Sequence, residues 1–311
     1  MPRNGRVPAR RKTAEVEAAS LPGAAGMKLS IIIPCRNSAD RLPRQLEALA
    51  RETWDGWWEV VIADNGSTDA TRQVAERFRD RLPHLLIVDA SARRGAAYAR
   101  NVGARSASGE VFLFLDADDE IAPGYVPAMA DALARHDFAA AHRDSESLNT
   151  GWVRSSRRTH PYEGFRNFLG FLPHAGGTRI GVRRSIFEFA GGFDDNLLGG
   201  EDIDFCWRVQ LAGIPLCLVP GATVRVRYPD SVRGVYRQAR LSGRSVALLY
   251  RRYRAAGMPG DSIRVGLRRW LRLVQRLPRI RSRADWARWV RKFGQCAGRL
   301  EGSLRYRVIY L

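Results

Sequence analysis

The sequence has few cysteines and no long apolar run. Its four cysteines form no Cys-x-x-Cys pair and no zinc-finger spacing, so we expect buried thiols in a reducing compartment. No apolar run approaches the roughly 18 residues that a membrane span needs. The N-terminus also lacks the apolar core of a secretion signal. We therefore expect a cytoplasmic protein without a disulfide framework or a transmembrane helix.

Acidic residues are scarce near the C-terminus. The 311-residue chain carries a net charge of +19, and from Arg225 onward 23 basic residues accompany only 4 acidic ones. The preceding residues are neutral overall. This charge distribution favours a neutral domain that carries the activity and a cationic segment that binds a partner or a surface. No recognised nucleic-acid motif is present, and no nucleic-acid partner is expected.

Three regions are predicted from the pattern. Residues 1–26 are rich in Arg, Pro, Gly and Ala without apolar periodicity, which predicts a disordered basic arm. Residues 27–230 alternate strands and helices about every 25 residues, which predicts βαβ units and a mainly parallel α/β sheet. Within them, residues 137–200 are less regular. Residues 231–311 predict basic amphipathic helices, at roughly 231–255, 261–277 and 284–299.

Carboxylates follow two of the predicted strands. Asp116, Asp118 and Asp119 come directly after the apolar run 111–115, and Asp64 follows the strand at 58–63. The carboxyl ends of parallel strands are where ligands bind in α/β sheets. Clustered carboxylates repel each other unless a cation or donors neutralise them, so an Asp-x-Asp there suits a divalent metal carrying a diphosphate. The alternatives are an acidic turn for the cluster and an Asx turn for Asp64.

A second acidic group lies at the start of a predicted helix over 199–213. Glu201, Asp202 and Asp204 occupy its first turn, where the macrodipole favours carboxylates and would support an ionised general base. Simple charge compensation of the helix end is the alternative. The flanking Gly199 and Gly200 favour the functional interpretation, because glycine allows a ligand to approach the backbone closely.

Five segments in this order resemble the family 2 inverting glycosyltransferases with the GT-A fold. The resemblance covers about residues 28–245. The matching segments are 31–34 with Asn37, 64–71, 94–104, 109–118 and 191–204.

The resemblance implies a nucleotide-diphospho-sugar donor, with a UDP-sugar expected, and a divalent Mn²⁺ or Mg²⁺. Asp202 would deprotonate the acceptor hydroxyl, and Asp118 would hold the metal that stabilises the leaving diphosphate. Gly177 and Thr178, with Glu201, would face the donor sugar and acceptor. The implied nucleotide contacts are Pro34, Asn37, Asp64, Arg94, Arg100 and Asp116.

Two positions depart from the resemblance. Many family members place a His shortly after the last strand as a further metal ligand, but residues 224–228 contain none. The metal shell is then less complete, or an Arg stabilises the diphosphate directly. Many members also have Asn where Thr178 stands, which leaves the identity of the sugar open.

The C-terminal region alternates Arg with Leu, Val, Trp and Tyr, a pattern that suits an anionic membrane surface. We expect a peripheral protein on the inner face of the cytoplasmic membrane, with a lipid-linked or glycan acceptor. The alternative for residues 231–311 is helices packed on the body with a solvated Arg face. The alternative function is a catalytically inactive module of the same fold that binds membrane or nucleic acid. A nucleotidyltransferase is disfavoured because no Gly-rich phosphate loop follows the first strand.

Overall fold

The structure is a computed structural model that describes residues 26–157, 165 and 169–311. The predicted arm therefore lies outside the described residues, except for residue 26. The strands are β1 (Leu29–Cys35), β2 (Trp58–Asp64), β3 (Leu86–Asp89), β4 (Val111–Phe114), β5 (Glu120–Ile121), β6 (Phe138–Asp144), β7 (Ile180–Arg183) and β8 (Cys217–Arg225).

Ten α-helices accompany this sheet in the described residues. They are α1 (Leu42–Leu49), α2 (Thr71–Glu76), α3 (Ala96–Ser106), α4 (Tyr125–Leu133), α5 (Gly151–Ser156), α6 (Arg184–Phe189), α7 (Glu201–Leu211), α8 (Val232–Tyr253), α9 (Ile263–Arg276) and α10 (Arg283–Tyr306). Within the described ranges, none of these helices has both the length and the apolar character required to cross a membrane.

The first half of the sheet is parallel, as predicted. β1 pairs in parallel with β2 on one side and β4 on the other, and β3 continues the parallel set beyond β2. Every residue of β2 and β4 is buried, which explains why their sequences are mainly apolar. The carboxyl ends of these strands therefore meet at one edge, and the expectation of an α/β fold is confirmed.

The second half of the sheet adds antiparallel pairs to the predicted, mainly parallel arrangement. The strand order across the whole sheet is β3-β2-β1-β4-β7-β6-β8-β5. β7 is antiparallel to both of its neighbours, β4 and β6. The sheet is thus mixed, and the less regular stretch 137–200 contains two of its strands. β8 is one continuous strand, and its register against β6 shifts between Ala141 and His142. Because β7 starts where β4 ends, the loop before it reaches the same edge.

The C-terminal helices share the core of the sheet domain. Leu249 and Tyr253 of α8 are buried in the same apolar cluster as Phe205 and Trp207 of α7. α10 then packs on α8 at backbone distance through a stripe of glycines spaced four residues apart. These are Gly294, Gly298 and Gly302.

Candidate active site

A cavity of about 580 Å³ opens at the carboxyl ends of β1 and β4. Four residues predicted to bind donor or metal line it: Pro34, Asn37, Asp116 and Asp118. Asn65, which follows β2, also lines it. The ends of β1, β2 and β4 thus contribute to one cavity.

Asn37 links the loops that follow β1 and β2. It adopts a left-handed backbone conformation with φ 49°, which asparagine tolerates better than most residues. Its Oδ1 accepts a hydrogen bond from Thr68 N at 2.8 Å, and its N–H donates to Ser67 Oγ at 3.1 Å. These bonds fix the β1 side of the cavity.

Asp64 and Arg94 do not line this cavity. Asp64 is buried, and its Oδ1 accepts a hydrogen bond from Ser67 N at 3.1 Å. It therefore lies just behind the residues that line the cavity. Its neighbour Asn65 contacts the cavity and receives a hydrogen bond from Gly95 N at 2.9 Å. Arg94 is exposed beside that glycine. Their nucleotide-binding roles therefore stay predictions.

The acidic cluster after β4 is surrounded by two arginines that sequence analysis did not single out. Arg41 Nη1 lies 3.6 Å from Asp118 Oδ2, and Arg227 Nε donates to the Asp118 carbonyl at 3.2 Å. The Arg227 N–H also donates to Asp119 Oδ1 at 2.9 Å. Pairing of β5 with β8 brings Arg227 to this position. Arg227 lies within residues 224–228, where the resemblance expects a metal-binding His, and this position is the signal in the sequence that points to it.

Burial and mutual repulsion act on these carboxyls. Burial, followed by the Asp116 charge, raises the pKa of Asp118, and the same causes raise the pKa of Asp119 to about 8. Asp119 Oδ2 is buried and has no hydrogen bond within 3.5 Å among the described residues. The sequence pattern places Asp119 in the acidic cluster but predicts no role for it.

The predicted metal site fits this arrangement only if substrate phosphates supply some of the metal ligands. In the described part of the chain, no group of three or more His, Cys, Asp or Glu side chains could hold a metal ion alone. Mg²⁺, however, is commonly bound by one or two carboxylates together with substrate phosphates. The repelling carboxylates and the unbonded Asp119 oxygen are consistent with such a site at Asp118.

Arg100 joins this cluster to the second acidic group. The side chain is 4% exposed, and it pairs with Asp116 Oδ1 at 2.6 Å and with Glu201 Oε1 at 3.1 Å. Burial opposes its charge, but the charges of Asp116 and Glu201 more than compensate and raise the pKa of Arg100. Arg100 does not line the open cavity, so its contact with the donor side runs through Asp116.

The loop 176–178 closes the space between the two acidic groups. Gly177 N donates to Asp202 Oδ2 at 3.1 Å, while Asp202 Oδ1 accepts from Ile203 N at 2.8 Å. A Cβ at Gly177 would lie 3.0 Å from the guanidinium carbon of Arg100, so a larger residue would fit only if Arg100 shifted. The Thr178 hydroxyl lies near the Asp119 carboxyl. Asp202 does not line the open cavity, but Gly177 and Arg100 link it to the strand-end carboxylates.

Asp204 has a different position from Glu201 and Asp202. It is fully buried, and it accepts hydrogen bonds from Arg208 at 2.8 Å, Arg252 at 2.6 Å and the Tyr253 hydroxyl at 2.7 Å. Arg252 also bonds Asp194 at 2.7 Å. Asp204 therefore anchors α7 to α8.

Comparison with known families agrees with this geometry. The model of the family described as "Glycosyl transferase family 2" matches residues 30–190, more than half of the chain. This chain belongs to glycosyltransferase family 2. A PGL/p-HBAD biosynthesis glycosyltransferase of Mycobacterium tuberculosis is 31% identical to it over 257 residues, covering 82% of this chain and 93% of that protein.

Other curated relatives of this family 2 glycosyltransferase are matched over part of their length. An uncharacterized glycosyltransferase of Bacillus subtilis, YfnE, is 38% identical over 39% of this chain, and the match covers 29% of that protein. For the Escherichia coli relative YibD the match covers 34% of that protein. The chain thus spans about a third of the length of these two relatives.

Two solved glycosyltransferases share the fold at low sequence identity. The mannosyltransferase PcManGT of Pyrobaculum calidifontis, in complex with GDP-Man and Mn²⁺, gives a TM-score of 0.62 at 18% identity, covering 90% of this chain and 88% of that chain. S. aureus TarS 1-349 in complex with UDP-GlcNAc gives 0.53 at 19% identity, covering 92% and 93%. These likenesses show the GT-A glycosyltransferase fold.

Proposed function

We propose that this protein is an inverting glycosyltransferase that moves one sugar from a nucleotide-diphosphate donor to a hydroxyl group. The observation that carries the proposal is the buried Arg100, which holds the donor-side Asp116 and the helix turn of Glu201 and Asp202 together. A displacement at a sugar carbon needs a base on one face and a stabilised leaving group on the other. This pocket has carboxylates available for both tasks.

The roles follow from position. Asp202 accepts the proton of the acceptor hydroxyl while that oxygen bonds to the anomeric carbon, and the bond from this carbon to the donor diphosphate breaks. The Gly177 N–H orients the Asp202 carboxylate. A divalent Mn²⁺ or Mg²⁺, held by Asp118 and the donor, would neutralise the leaving diphosphate. Arg41 and Arg227 flank the same side and add positive charge there.

We propose a nucleotide contact surface from Pro34, Asn37 and Asp116, with Asp64 acting from behind Asn65. Arg94 would reach the donor from the exposed rim, whereas Arg100 acts through Asp116. Thr178 and Glu201 face the donor sugar and acceptor. The PcManGT and TarS complexes contain GDP-Man and UDP-GlcNAc, so both donor classes merit testing, with a UDP-sugar as the first expectation.

The test compares donor binding and donor turnover in two variants. Asp202→Asn should lower the rate of nucleotide diphosphate release about 10²–10⁴-fold while a UDP-sugar with Mn²⁺ still raises the Tm. Asp118→Asn should lose that rise in Tm. Asp131→Asn, on the exposed side of α4, is the control and should change neither. Full activity in Asp202→Asn would refute the assignment of the base.

We further propose that α9 holds the protein on an anionic membrane surface, at the inner face of the cytoplasmic membrane, where it would meet a lipid-linked acceptor. One face of α9 leaves Leu267 63%, Leu271 57% and Val274 62% exposed. Arg264 and Arg268 are exposed on the same helix. An apolar stripe bordered by arginines matches the boundary between acyl chains and anionic headgroups.

This proposal is tested with vesicles. Leu267→Ser with Leu271→Ser should reduce co-sedimentation of the full chain with phosphatidylglycerol vesicles, because the variant loses the apolar area that would be buried. Leu211→Ser, at the exposed end of α7, removes a similar exposed side chain elsewhere and is the control. Equal binding by the double variant and wild type would refute a role for α9.

A further inference from the structure

Two further cavities lie between α9 and α10. The larger measures about 470 Å³, and five cationic side chains line it together with one carboxylate, Asp285. The smaller measures about 240 Å³, and it has five cationic side chains and no carboxylate in its lining. Arg276 and Lys292 line both cavities, so the two form one continuous cationic region.

The cationic side chains that line this region outnumber the carboxylates beside them. Arg269 and Arg299 share the single carboxylate Asp261, at 2.6 and 2.7 Å. Burial, followed by the charge of Arg269, lowers the pKa of Arg299, which shows that the cations crowd one another.

Three other arginines of the region lack a carboxylate. Among the described residues, no acidic side chain lies within 4.0 Å of Arg272, Arg276 or Arg279. All three are exposed enough to reorient toward a ligand. Guanidinium groups bind phosphate oxygens through paired hydrogen bonds, and several of them around one concavity select for multiple negative charge.

α9 and α10 also meet through aromatic side chains. Trp289 Nε1 donates to the Leu273 carbonyl at 2.9 Å, and the rings of Trp270 and Phe293 meet edge to face at 5.8 Å. An anion bound between these helices would bridge cations from both of them and strengthen their packing. Its binding should therefore be visible as thermal stabilisation.

We propose that the cationic cavities between α9 and α10 bind a phosphate or diphosphate group, separately from the donor site at the sheet edge. The larger cavity falls within the size range of about 300–1,000 Å³ typical of small-molecule sites. The group comes either from a lipid headgroup or from a soluble phosphate ester. Both sources present the same oxygens to Arg272 and Arg276.

Calorimetric titration of the full chain with inorganic pyrophosphate tests the proposal. EDTA is included so that no divalent metal supports binding at the donor site. Arg272→Gln with Arg276→Gln should weaken the Kd at least about tenfold and abolish the pyrophosphate-dependent rise in Tm. Arg264→Gln with Arg268→Gln removes the same charge from the same helix outside both cavities, and it should leave the Kd nearly unchanged.

Three results would overturn the proposal. They are an unchanged Kd in the cavity variant, an equal loss in both double variants, and a loss of binding in Asp118→Asn alone. The second would show general attraction of anions to a basic surface, and the third would place the pyrophosphate in the donor site.

A vesicle arm identifies the source. Phosphatidylcholine vesicles with a minority of phosphatidic acid are compared with pure phosphatidylcholine. Selective loss of phosphatidic acid binding in the cavity variant assigns the site to a lipid headgroup. Loss of pyrophosphate binding alone assigns it to a soluble phosphate ester.

Discussion

Replacing Arg100 with Met tests how the two acidic groups are held together. The guanidinium is buried and pairs with Asp116 at 2.6 Å and Glu201 at 3.1 Å. Met keeps much of the aliphatic volume but removes the charge, so two carboxylates lose their shared partner. Removing one member of a buried ion pair costs about 3–5 kcal/mol. Because Asp116 remains 30% exposed to water, we expect the lower end of that range, about 3 kcal/mol.

The cost should depend on pH. Burial and the neighbouring Asp202 charge already raise the pKa of Glu201, and loss of Arg100 would raise it further. A carboxyl with a raised folded-state pKa lowers stability as pH rises above its unfolded-state pKa, and the loss is complete above the folded-state pKa. The destabilisation by Arg100→Met should therefore be smaller at about pH 5, where Glu201 can hold a proton, than at about pH 7.

Urea unfolding followed by tryptophan fluorescence at both pH values measures this difference. Arg105→Met is the control, since Arg105 is an exposed arginine on the same helix α3. It should cost less than about 0.5 kcal/mol at either pH. A loss below about 1 kcal/mol for Arg100→Met, or an equal loss at both pH values, would refute the bridging role.

Three further predictions concern single contacts. In EDTA, Asp119→Asn should gain stability relative to wild type as pH rises from about 4 towards the folded-state pKa of about 8, at up to about 1.4 kcal/mol per pH unit, and the gain should level off above that pKa, because the unfolded wild-type carboxyl ionises in this range while the buried one stays protonated. Arg252→Ala should lower the free energy of unfolding by about 2–3 kcal/mol, because the fully buried Asp204 loses a cation at 2.6 Å. Gly177→Ala should lower turnover about tenfold or more, since its Cβ would press on Arg100 and displace the loop that orients the base.

Each of these predictions has its own check. A pH series of Tm values measures the first, and parallel curves for variant and wild type would contradict it. Chemical unfolding measures the second against Arg251→Ala, an exposed neighbour on α8 that should be neutral. Steady-state kinetics measure the third against Gly176→Ala, whose Cβ would meet its nearest neighbour at an ordinary 3.8 Å. Equal effects of the two glycine substitutions would contradict it.

The parallel half of the fold could be predicted because its signals are local. β1, β2 and β4 are buried on both faces, so each is mainly apolar and is followed by polar residues at the sheet edge. β6 begins Phe138–Ala141, where three alanines have little intrinsic tendency to form a strand. Its existence depends on pairing with β7 and β8, which no local pattern reports.

The residues of the candidate site likewise fall into those that the sequence predicts and those that it does not. Asp116 and Asp118 follow directly from the end of β4, and their place beside the cavity was predictable. The pairing of Arg100 with Glu201 joins positions 101 residues apart, and it depends on how α7 approaches α3. Asp119 turns inward because the short β5 pairs with β8. Such contacts arise from tertiary packing and leave no periodicity in the sequence.

The burial of α8 against α7 bears on how such proteins diversify. Tyr253 packs edge to face on Trp207 at 5.2 Å, and Arg252 neutralises a carboxylate inside the neighbouring helix. Without α8, the aromatic surface of α7 would be exposed and the buried Asp204 would lose a cation, so hybrids of relatives joined at that boundary should be less stable. The exposed face of α9 can vary more freely, because Leu267, Leu271 and Val274 lie outside the shared interior.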